Sequence, residues 1–173
     1  MMLQLKAHDT LKDEDYARFA RFYLTNSDEF DEQYMLHDAL LHLISTVQKA
    51  HLLLFDDEQG QLSAFIQYRY TEDRNTAFID SAILAEKYRS SRVFFAGLRD
   101  VVLWICEENR DIQTLQFHAV AENRYINRLY SKFSKRTDVQ VRNGRTEHVY
   151  TAELDTLLAY LKIKTFDSAK FNG

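Results

Sequence analysis

The strongest constraint on the fold is a run of strand, long helix and strand in the middle of the chain. Residues 76–84, TAFIDSAIL, form an apolar run that predicts a strand. Residues 91–109 follow, and their polar side chains form one narrow stripe, which predicts a helix packed against a sheet. Residues 114–120, TLQFHAV, predict the next strand. Two strands joined through a helix run parallel, so this segment predicts a βαβ unit.

The segments on either side predict further strands and helices. Strands are predicted at 2–7, 51–55, 62–70, 138–142 and 147–152. Two helices are predicted to begin near Thr10 and near Ser27 or Asp28, and two more are predicted over 123–133 and 154–163. The second of these helices has apolar positions on one face, at Leu36, Leu40, Leu43, Ile44 and Val47. The order of elements predicts an α/β (α+β) fold with a mixed, mostly antiparallel sheet, a central βαβ unit and flanking helices.

Composition limits the class of protein. A chain of 173 residues, 46% hydrophobic and 28% charged, is expected to form one globular domain over 1–173. No apolar run approaches the roughly 20 residues of a membrane helix and no signal peptide is visible, so a cytoplasmic location without a membrane partner is expected. The single cysteine, Cys106, excludes a cysteine-built zinc site. The helical pair Asp38 and His42 has no evident third ligand, so no metal is predicted.

The distribution of charge is uneven. A net charge of −4 argues against a nucleic-acid partner. Residues 1–50 carry nine acidic and five basic side chains, whereas residues 124–145 carry seven basic ones against Asp138 alone. Two interpretations stay open: the two segments flank one site with an acidic and a basic side, or they are solvated helix faces without a ligand.

One stretch resembles a motif of a known family. Residues 120–133, VAENRYINRLYSKF, resemble the second cofactor-binding motif of the GNAT N-acetyltransferase superfamily, whose members use acetyl-CoA or another acyl-CoA to acylate an amine. The matching residues are Asn123, Leu129, Tyr130, Lys132 and Phe133. The resemblance implies that Asn123 contacts the cofactor and that the Tyr130 hydroxyl protonates the leaving thiolate. The alternative interpretation is structural: Asn123 is a good helix N-cap, and an aromatic on an apolar helix face is usually core.

A second stretch, residues 85–95, AEKYRSSRVFF, resembles the first motif of the same family. That motif is a glycine-rich turn whose backbone N–H groups reach the cofactor pyrophosphate at a helix N-terminus. Tyr88 and Arg89 match, whereas Ser90, Arg92 and Phe94 stand at glycine positions. The cofactor-binding residues implied by the resemblance are Ile83, Leu84, Arg89, Ser90, Ser91, Arg92, Val93, Phe94 and Asn123.

The missing glycines leave two outcomes open. A side chain at a close-approach position obstructs the cofactor, and a non-glycine residue at positive φ is costly, which argues for weakened or lost binding. Arginine and serine are good phosphate partners, which argues that side chains have replaced the glycine turn. The structural interpretation is a capped helix start, with Ser90 or Ser91 as the cap.

The general base is assigned by the same resemblance, which implies an acid on the central strand. Asp80 lies inside the apolar run 76–84, on the face that strand alternation gives to Phe78 and Ala82. A carboxylate there is expensive unless it has a partner, which makes Asp80 the candidate base beside Tyr130 as the catalytic acid. Glu86 and His118 are further candidates.

Three hypotheses follow for the function. In the first, a GNAT-like domain over 1–173 transfers an acyl group, acetyl in the simplest case, from acyl-CoA to a small-molecule or peptide amine by direct attack on the thioester. In the second, the domain is a catalytically inactive binding or regulatory module that no longer binds acetyl-CoA normally. In the third, exposed aromatic side chains form an oligomer interface, and a homodimer is left open.

Overall fold

The computed structural model describes residues 3–26, 36–47, 49–142 and 144–164, and these form a seven-stranded sheet with helices on both faces. The strands are β1 (Gln4–Ala7), β2 (His51–Asp56), β3 (Leu62–Tyr70), β4 (Thr76–Leu84), β5 (Thr114–Val120), β6 (Lys135–Arg142) and β7 (Arg145–Glu153). The helices are α1 (Asp13–Asn26), α2 (Leu36–Val47), α3 (Ser91–Glu108), α4 (Arg124–Tyr130) and α5 (Leu154–Tyr160). The predicted fold class and order of elements are confirmed.

The sheet has the strand order β1-β2-β3-β4-β5-β7-β6, and its neighbours are antiparallel except for β4 and β5. These two strands flank α3 in sequence and pair in parallel, which confirms the predicted βαβ unit. Their pairing covers only Thr76–Phe78 against Thr114–Gln116. Beyond this short ladder the two strands part, and the gap between them positions the candidate site.

Two apolar clusters hold the helices on the sheet. The larger one joins the sheet to α3 and α5 and includes Leu53, Ile105 and Leu157, all fully buried. The smaller one joins the opposite face to α1 and α2 through Phe19 and Phe65, whose rings meet edge-on with centroids 4.8 Å apart. Each fully buried side chain of this size contributes about 1.5–3 kcal/mol, so the sheet is stabilised from both faces.

The helices near the N-terminus depart from prediction in detail. The first helix begins at Asp13, because Thr10 ends a short 3-10 turn and its hydroxyl donates to the Ala7 carbonyl. In α2, Leu43 is buried, but Leu40 and Ile44 are 39% and 62% exposed. The predicted apolar face is therefore only partly covered among the described residues. The predicted opening near Ser27 or Asp28 and the side chains of Leu36, Asp38 and His42 lie outside them.

The described surface bears on two further expectations. Tyr125, 60% exposed, is the one aromatic among the large exposed hydrophobic residues of the described ranges. The described surface therefore carries no cluster of exposed aromatic rings of the kind that an aromatic oligomer interface would use. No helix in the described ranges is long and apolar enough to cross a membrane.

Candidate active site

The parting of β4 and β5 opens a cleft of about 560 Å³. Its walls come from both parted strands, the first turns of α3, and α4. A cavity of this size lies within the roughly 300–1,000 Å³ range of small-molecule sites. From Ile79 to Leu84, the edge of β4 that faces β5 has no strand partner among the described residues. Backbone N–H and C=O groups need hydrogen-bond partners when they are buried, and an extended ligand in the cleft could supply partners for the groups along this edge.

A β-bulge lies where β4 leaves β5. On β4, Ile79 pairs with Tyr68 and Ser81 pairs with Gln67, which leaves Asp80 as an extra residue without an opposite partner. A bulge of this kind bends the strand and interrupts its alternation of faces. The bulge therefore marks the start of the cleft and places an acidic residue there.

Asp80 lies in the cleft wall with a charged partner. Its carboxylate accepts a hydrogen bond from Arg69 Nε at 3.1 Å, and its side chain is only 8% exposed. The Arg69 guanidinium also lies 4.6 Å from the Phe78 ring centre, so Asp80 and Phe78 share a face as predicted. Ala82 pairs with Ile66, which packs on the larger apolar cluster. Ala82 therefore faces the other way, and the prediction that it shares the face of Asp80 is wrong because of the bulge.

The glycine-free turn before α3 has ordinary backbone geometry. Arg89 and Ser90 have φ values of −71° and −138°. Among the described non-glycine residues, positive φ occurs only at Arg74 and Lys162. The Ser90 hydroxyl accepts the Val93 N–H at 3.2 Å, so Ser90 is the N-cap, as the structural interpretation predicted. The missing glycines therefore cause no backbone strain in this turn.

Most of the predicted cofactor-binding residues are brought together by the fold. The ones that line the cleft are Ile83, Leu84, Arg89, Ser90, Val93, Phe94 and Asn123. Arg92 is exposed and is not among the lining residues, and the side chain of Ser91 lies outside the described part of the chain. Glu86 is exposed in a 3-10 turn and does not line the cleft. Within residues 124–145, the described basic residue at the cleft is Arg142.

A buried carboxylate, that of Asp57, forms hydrogen bonds with the turn before α3. Asp57, at the end of β2, accepts the Tyr88 hydroxyl at 3.0 Å and the Lys87 ammonium at 3.2 Å. It also accepts the backbone N–H groups of Gln59 and Gln61. These hydrogen bonds, the one from Gln61 foremost, lower the pKa of Asp57 to about 2. Asp57 was not predicted, because nothing in its local sequence separates it from other acids in hairpin turns.

The motif that resembles the family's second one forms the opposite wall. The Asn123 side chain caps α4 by accepting the Ile126 N–H at 3.1 Å. Tyr130 is 8% exposed, and burial raises its pKa to about 12. Its hydroxyl makes no hydrogen bond with any described residue. The aromatic rings around it are those of Phe94, Phe117, Phe133 and Tyr150.

A histidine and a glutamate face the cleft from β5 and β7. His118 Nδ1 lies 3.3 Å from Glu147 Oε2, and the His118 side chain is only 10% exposed. The hydrogen bond with His118 is the main reason why the pKa of Glu147 is lowered. His118 Nε2 is buried and has no hydrogen-bond partner among the described residues. An ionised carboxylate can only accept, so Nδ1 is the donor in this contact, and in a neutral imidazole Nε2 then holds the lone pair.

This histidine had little weight as a candidate in the sequence, and the glutamate was not predicted. His118 was only a further candidate, because a histidine on a half-buried strand is usually structural. Glu147 was not predicted, because it reaches the cleft only through the register that pairs it with Val120.

No protein-family model matches the sequence, and no curated protein matches it. Solved structures match in fold. A spermidine N-acetyltransferase chimera, from Vibrio cholerae and hSSAT, has a TM-score of 0.68 at 13% identity, over 91% of this chain and 99% of its own. A GNAT acetyltransferase from Streptococcus pneumoniae has a TM-score of 0.64 at 14% identity, over 87% and 98%. A ribosomal-protein-alanine N-acetyltransferase from Escherichia coli has a TM-score of 0.65 at 12% identity, over 88% and 94%. The chain therefore has the GNAT acetyltransferase fold.

Proposed function

We propose that this protein is an acyl-CoA-dependent N-acyltransferase that transfers an acyl group, acetyl in the simplest case, to an amine. The observation that carries the proposal is the edge of β4 inside the cleft, from Ile79 to Ile83, which has no strand partner among the described residues. At its end the Leu84 carbonyl accepts the Arg89 Nε–H at 2.9 Å. An extended chain that contains amides, such as the pantetheine arm, can hydrogen-bond to such an edge as an added strand does.

The start of α3 suits the pyrophosphate. The positive end of the helix dipole lies there, and the first N–H groups of a helix have no acceptor inside it. The Ser90 hydroxyl accepts the N–H of Val93, whereas the N–H of Arg92 has no acceptor among the described residues. Arg89 and Ser90 line the cleft at this point, which supports replacement of the glycine turn by side chains.

Tyr130 suits the end of the cleft where the thiol leaves. Acyl-CoA, when bound, supplies a thioester whose C–S bond breaks as the amine forms the new C–N bond. The raised pKa of Tyr130, about 12, keeps its hydroxyl protonated at every working pH. The side chain lines the cleft and its hydroxyl has no hydrogen-bond partner among the described residues, so it can donate to the sulfur as negative charge develops. A hydrogen bond to a charged group contributes about 1.5–3 kcal/mol.

His118 is the general base in this proposal, oriented by Glu147. Its Nε2 is buried at the cleft wall, so the imidazole turns toward the bound amine before the Nε2 lone pair accepts the proton that the acceptor nitrogen loses. Asp80, the base implied by the sequence resemblance, is the second candidate and lines the same cleft. One of its carboxylate oxygens is already occupied by the hydrogen bond from Arg69 Nε. The two candidates can be separated by substitution.

The acceptor is an amine of small-molecule or peptide class. Asp80 and Glu147 place carboxylates in the cleft wall, and carboxylates attract a cationic ammonium. The enzymes of the same fold named above cover both kinds of acceptor, a polyamine in one and an alanine of a ribosomal protein in the other. We extend that range of acceptors to this chain as a proposal.

The test uses Gly97, which lines the cleft from α3. A Cβ atom built on Gly97 meets nothing within 4 Å, so a larger side chain has room to enter the cleft. We expect wild-type protein to bind acetyl-CoA in calorimetry within the about 1 μM to 1 mM range usual for enzyme substrates. Gly97→Phe should abolish binding by filling the cleft. Gly97→Ala, the matched control, should retain it and melt slightly higher because alanine favours helix.

Thiol release from acetyl-CoA, measured with a panel of polyamines and peptides, then tests transfer. Release that depends on an amine supports the enzyme. Binding that Gly97→Phe abolishes, without release for any amine, favours the inactive binding module instead. Absence of heat with both acetyl-CoA and CoA, or equal binding by wild type and Gly97→Phe, overturns the assignment of this cleft.

A further inference from the structure

Three side chains of the types that bind metal ions converge at the end of the sheet where β4 begins, away from the cleft. His8 lies in the 3-10 turn after β1, His51 is the first residue of β2, and Glu108 is the last residue of α3. These elements are far apart in sequence and meet only in the folded chain. The three side chains are 26%, 32% and 20% exposed, so solvent reaches the cluster.

The distances between the three facing atoms are nearly equal. His8 Nε2 lies 3.2 Å from His51 Nδ1 and 3.2 Å from Glu108 Oε1, and His51 Nδ1 lies 3.4 Å from Glu108 Oε1. In a tetrahedral zinc site, bonds of about 2.0–2.1 Å hold the ligand atoms about 3.3–3.4 Å apart. The cluster therefore has the spacing of three corners of a zinc tetrahedron.

Hydrogen bonds alone do not account for this triangle. A neutral imidazole nitrogen carries one proton or none, and the carboxylate carries none. If both nitrogens in the triangle are protonated, both N–H groups point at Glu108 Oε1, and the two nitrogens lie 3.2 Å apart without a lone pair between them. If only one is protonated, two lone pairs face each other. At most two of the three contacts are hydrogen bonds, and a cation between the atoms removes the conflict.

The other oxygen of Glu108 is held by hydrogen bonds from aromatic side chains. Oε2 accepts the hydroxyls of Tyr68 at 2.6 Å and Tyr70 at 2.5 Å. Trp104 Nε1 in turn donates to the Tyr68 hydroxyl at 3.1 Å, and the His51 ring stacks on Tyr68 with centroids 5.0 Å apart. Hydrogen bonds behind a metal ligand orient it and raise the affinity of the site. Here they fix the carboxylate so that Oε1 faces the two histidines.

We propose that His8 Nε2, His51 Nδ1 and Glu108 Oε1 bind a zinc ion, with water in the fourth position. Two imidazoles and one carboxylate suit zinc, whereas magnesium and calcium prefer oxygen ligands throughout. The ion ties the turn after β1, the start of β2 and the end of α3 together. Its binding stabilises the folded chain independently of the cleft.

The test is a titration of chelator-treated, dialysed protein with zinc chloride. We expect one ion per chain in calorimetry and, with free zinc about 100-fold above Kd, a rise in Tm of about 5–10 °C. Magnesium chloride should leave Tm unchanged. Cobalt(II) should give the intense visible absorption of a tetrahedral site, which reports the geometry without any activity assay.

Variants locate the ion. His51→Gln and Glu108→Gln should each weaken zinc binding by more than the about 10–100-fold that losing an outer hydrogen-bond partner costs. Tyr70→Phe keeps its ring and should fall within that 10–100-fold range. His148→Gln is the matched control, since His148 bonds Asn127 elsewhere and should leave zinc affinity unchanged.

Circular dichroism of each variant before titration confirms that it is folded. Two results overturn the proposal: wild-type protein that takes up no zinc, and zinc binding that His51→Gln and Glu108→Gln leave unchanged. Tyr70→Phe keeps the question decidable if either ligand variant fails to fold, because it alters only the carboxylate's support.

Discussion

Two groups of histidine and glutamate lie at opposite ends of the sheet, and they differ in arrangement rather than in residue type. At the cleft, His118 Nδ1 bonds Glu147, and Nε2 has no partner among the described residues. At the other end, His8 and His51 both approach one oxygen of Glu108, at 3.2 and 3.4 Å. A single imidazole beside a cavity, with a buried nitrogen that no described residue bonds, suits proton transfer. Three converging atoms suit a metal ion.

The difference follows from how β4 and β5 are joined. Where they pair, the hydroxyls of Thr76 and Thr114 lie 2.7 Å apart, and the paired residues Ala77 and Leu115 are fully buried. Where they part, a cleft of about 560 Å³ separates them. Chemistry that needs a substrate is therefore expected at the parted end, and chemistry that needs only an ion at the paired end.

The largest expected effect is at the base. His118→Gln should lower the rate of amine-dependent thiol release by about 10²–10⁴, the usual contribution of a general base. Asp80→Asn should lower it less than His118→Gln, because Asp80 is already bonded to Arg69. Single-turnover rates measured with saturating acetyl-CoA compare the two.

The same pair of variants tests whether the two groups act independently and which residue is the base. His118→Gln should leave zinc affinity unchanged, and a loss of zinc binding in this variant would show that the two groups are not independent. A larger effect of Asp80→Asn than of His118→Gln would transfer the role of base to Asp80.

The next effect in size concerns the opposite wall of the cleft. Tyr130→Phe removes the hydroxyl and keeps the ring among its aromatic neighbours. We expect a rate about 10–100-fold lower, the value of one hydrogen bond to a developing charge, with acetyl-CoA affinity nearly unchanged. Stopped-flow measurement of thiol release and calorimetry give the two quantities. An unchanged rate would show that Tyr130 is only part of the core.

A smaller effect concerns stability at the cleft end. The folded-state pKa of Asp57 is lowered from 3.8 to about 2, so its ionised form contributes stability above 3.8 that is lost as the pH falls through 2. Asp57→Asn should lower Tm by a few degrees near neutral pH, and the difference from wild type should vanish near pH 2. Calorimetric melts across this range measure it. A difference that stays constant with pH would exclude the ionised carboxylate as its cause.

The smallest effect is a predicted lack of change. Because burial raises the pKa of Tyr130 to about 12, its hydroxyl stays protonated through the ordinary tyrosine pKa of about 10. The ratio of the wild-type to the Tyr130→Phe transfer rate should therefore be constant from neutral pH to about pH 10. A ratio that falls toward one near pH 10 would mean that the hydroxyl ionises in the cleft.

Several site residues could be predicted because their roles are local. Ser90 and Asn123 precede apolar helices, and both cap those helices and line the cleft. Tyr130, predicted through the short motif that Asn123 begins, lines the cleft as well. In each case the residue and the element that positions it are within a few residues of each other, so a single sequence contains the signal.

Other residues could not be predicted because strand register or chain crossing positions them. Glu147 reaches His118 through the pairing of β5 with β7. The bulge at Asp80, which turns Ala82 to the other face, depends on the pairing of β4 with β3. Asp57 meets Tyr88 across 31 residues. No local pattern records such contacts.

The sequence by itself determined the order and type of elements, the parallel strand pair around α3 and the capped helix starts, because periodicity and capping act over a few residues. The tertiary structure alone decided where β4 and β5 part. It also brought His118 to Glu147, and His8 and His51 to one oxygen of Glu108. These outcomes depend on contacts between distant segments, whose geometry is set by the packing of the whole sheet.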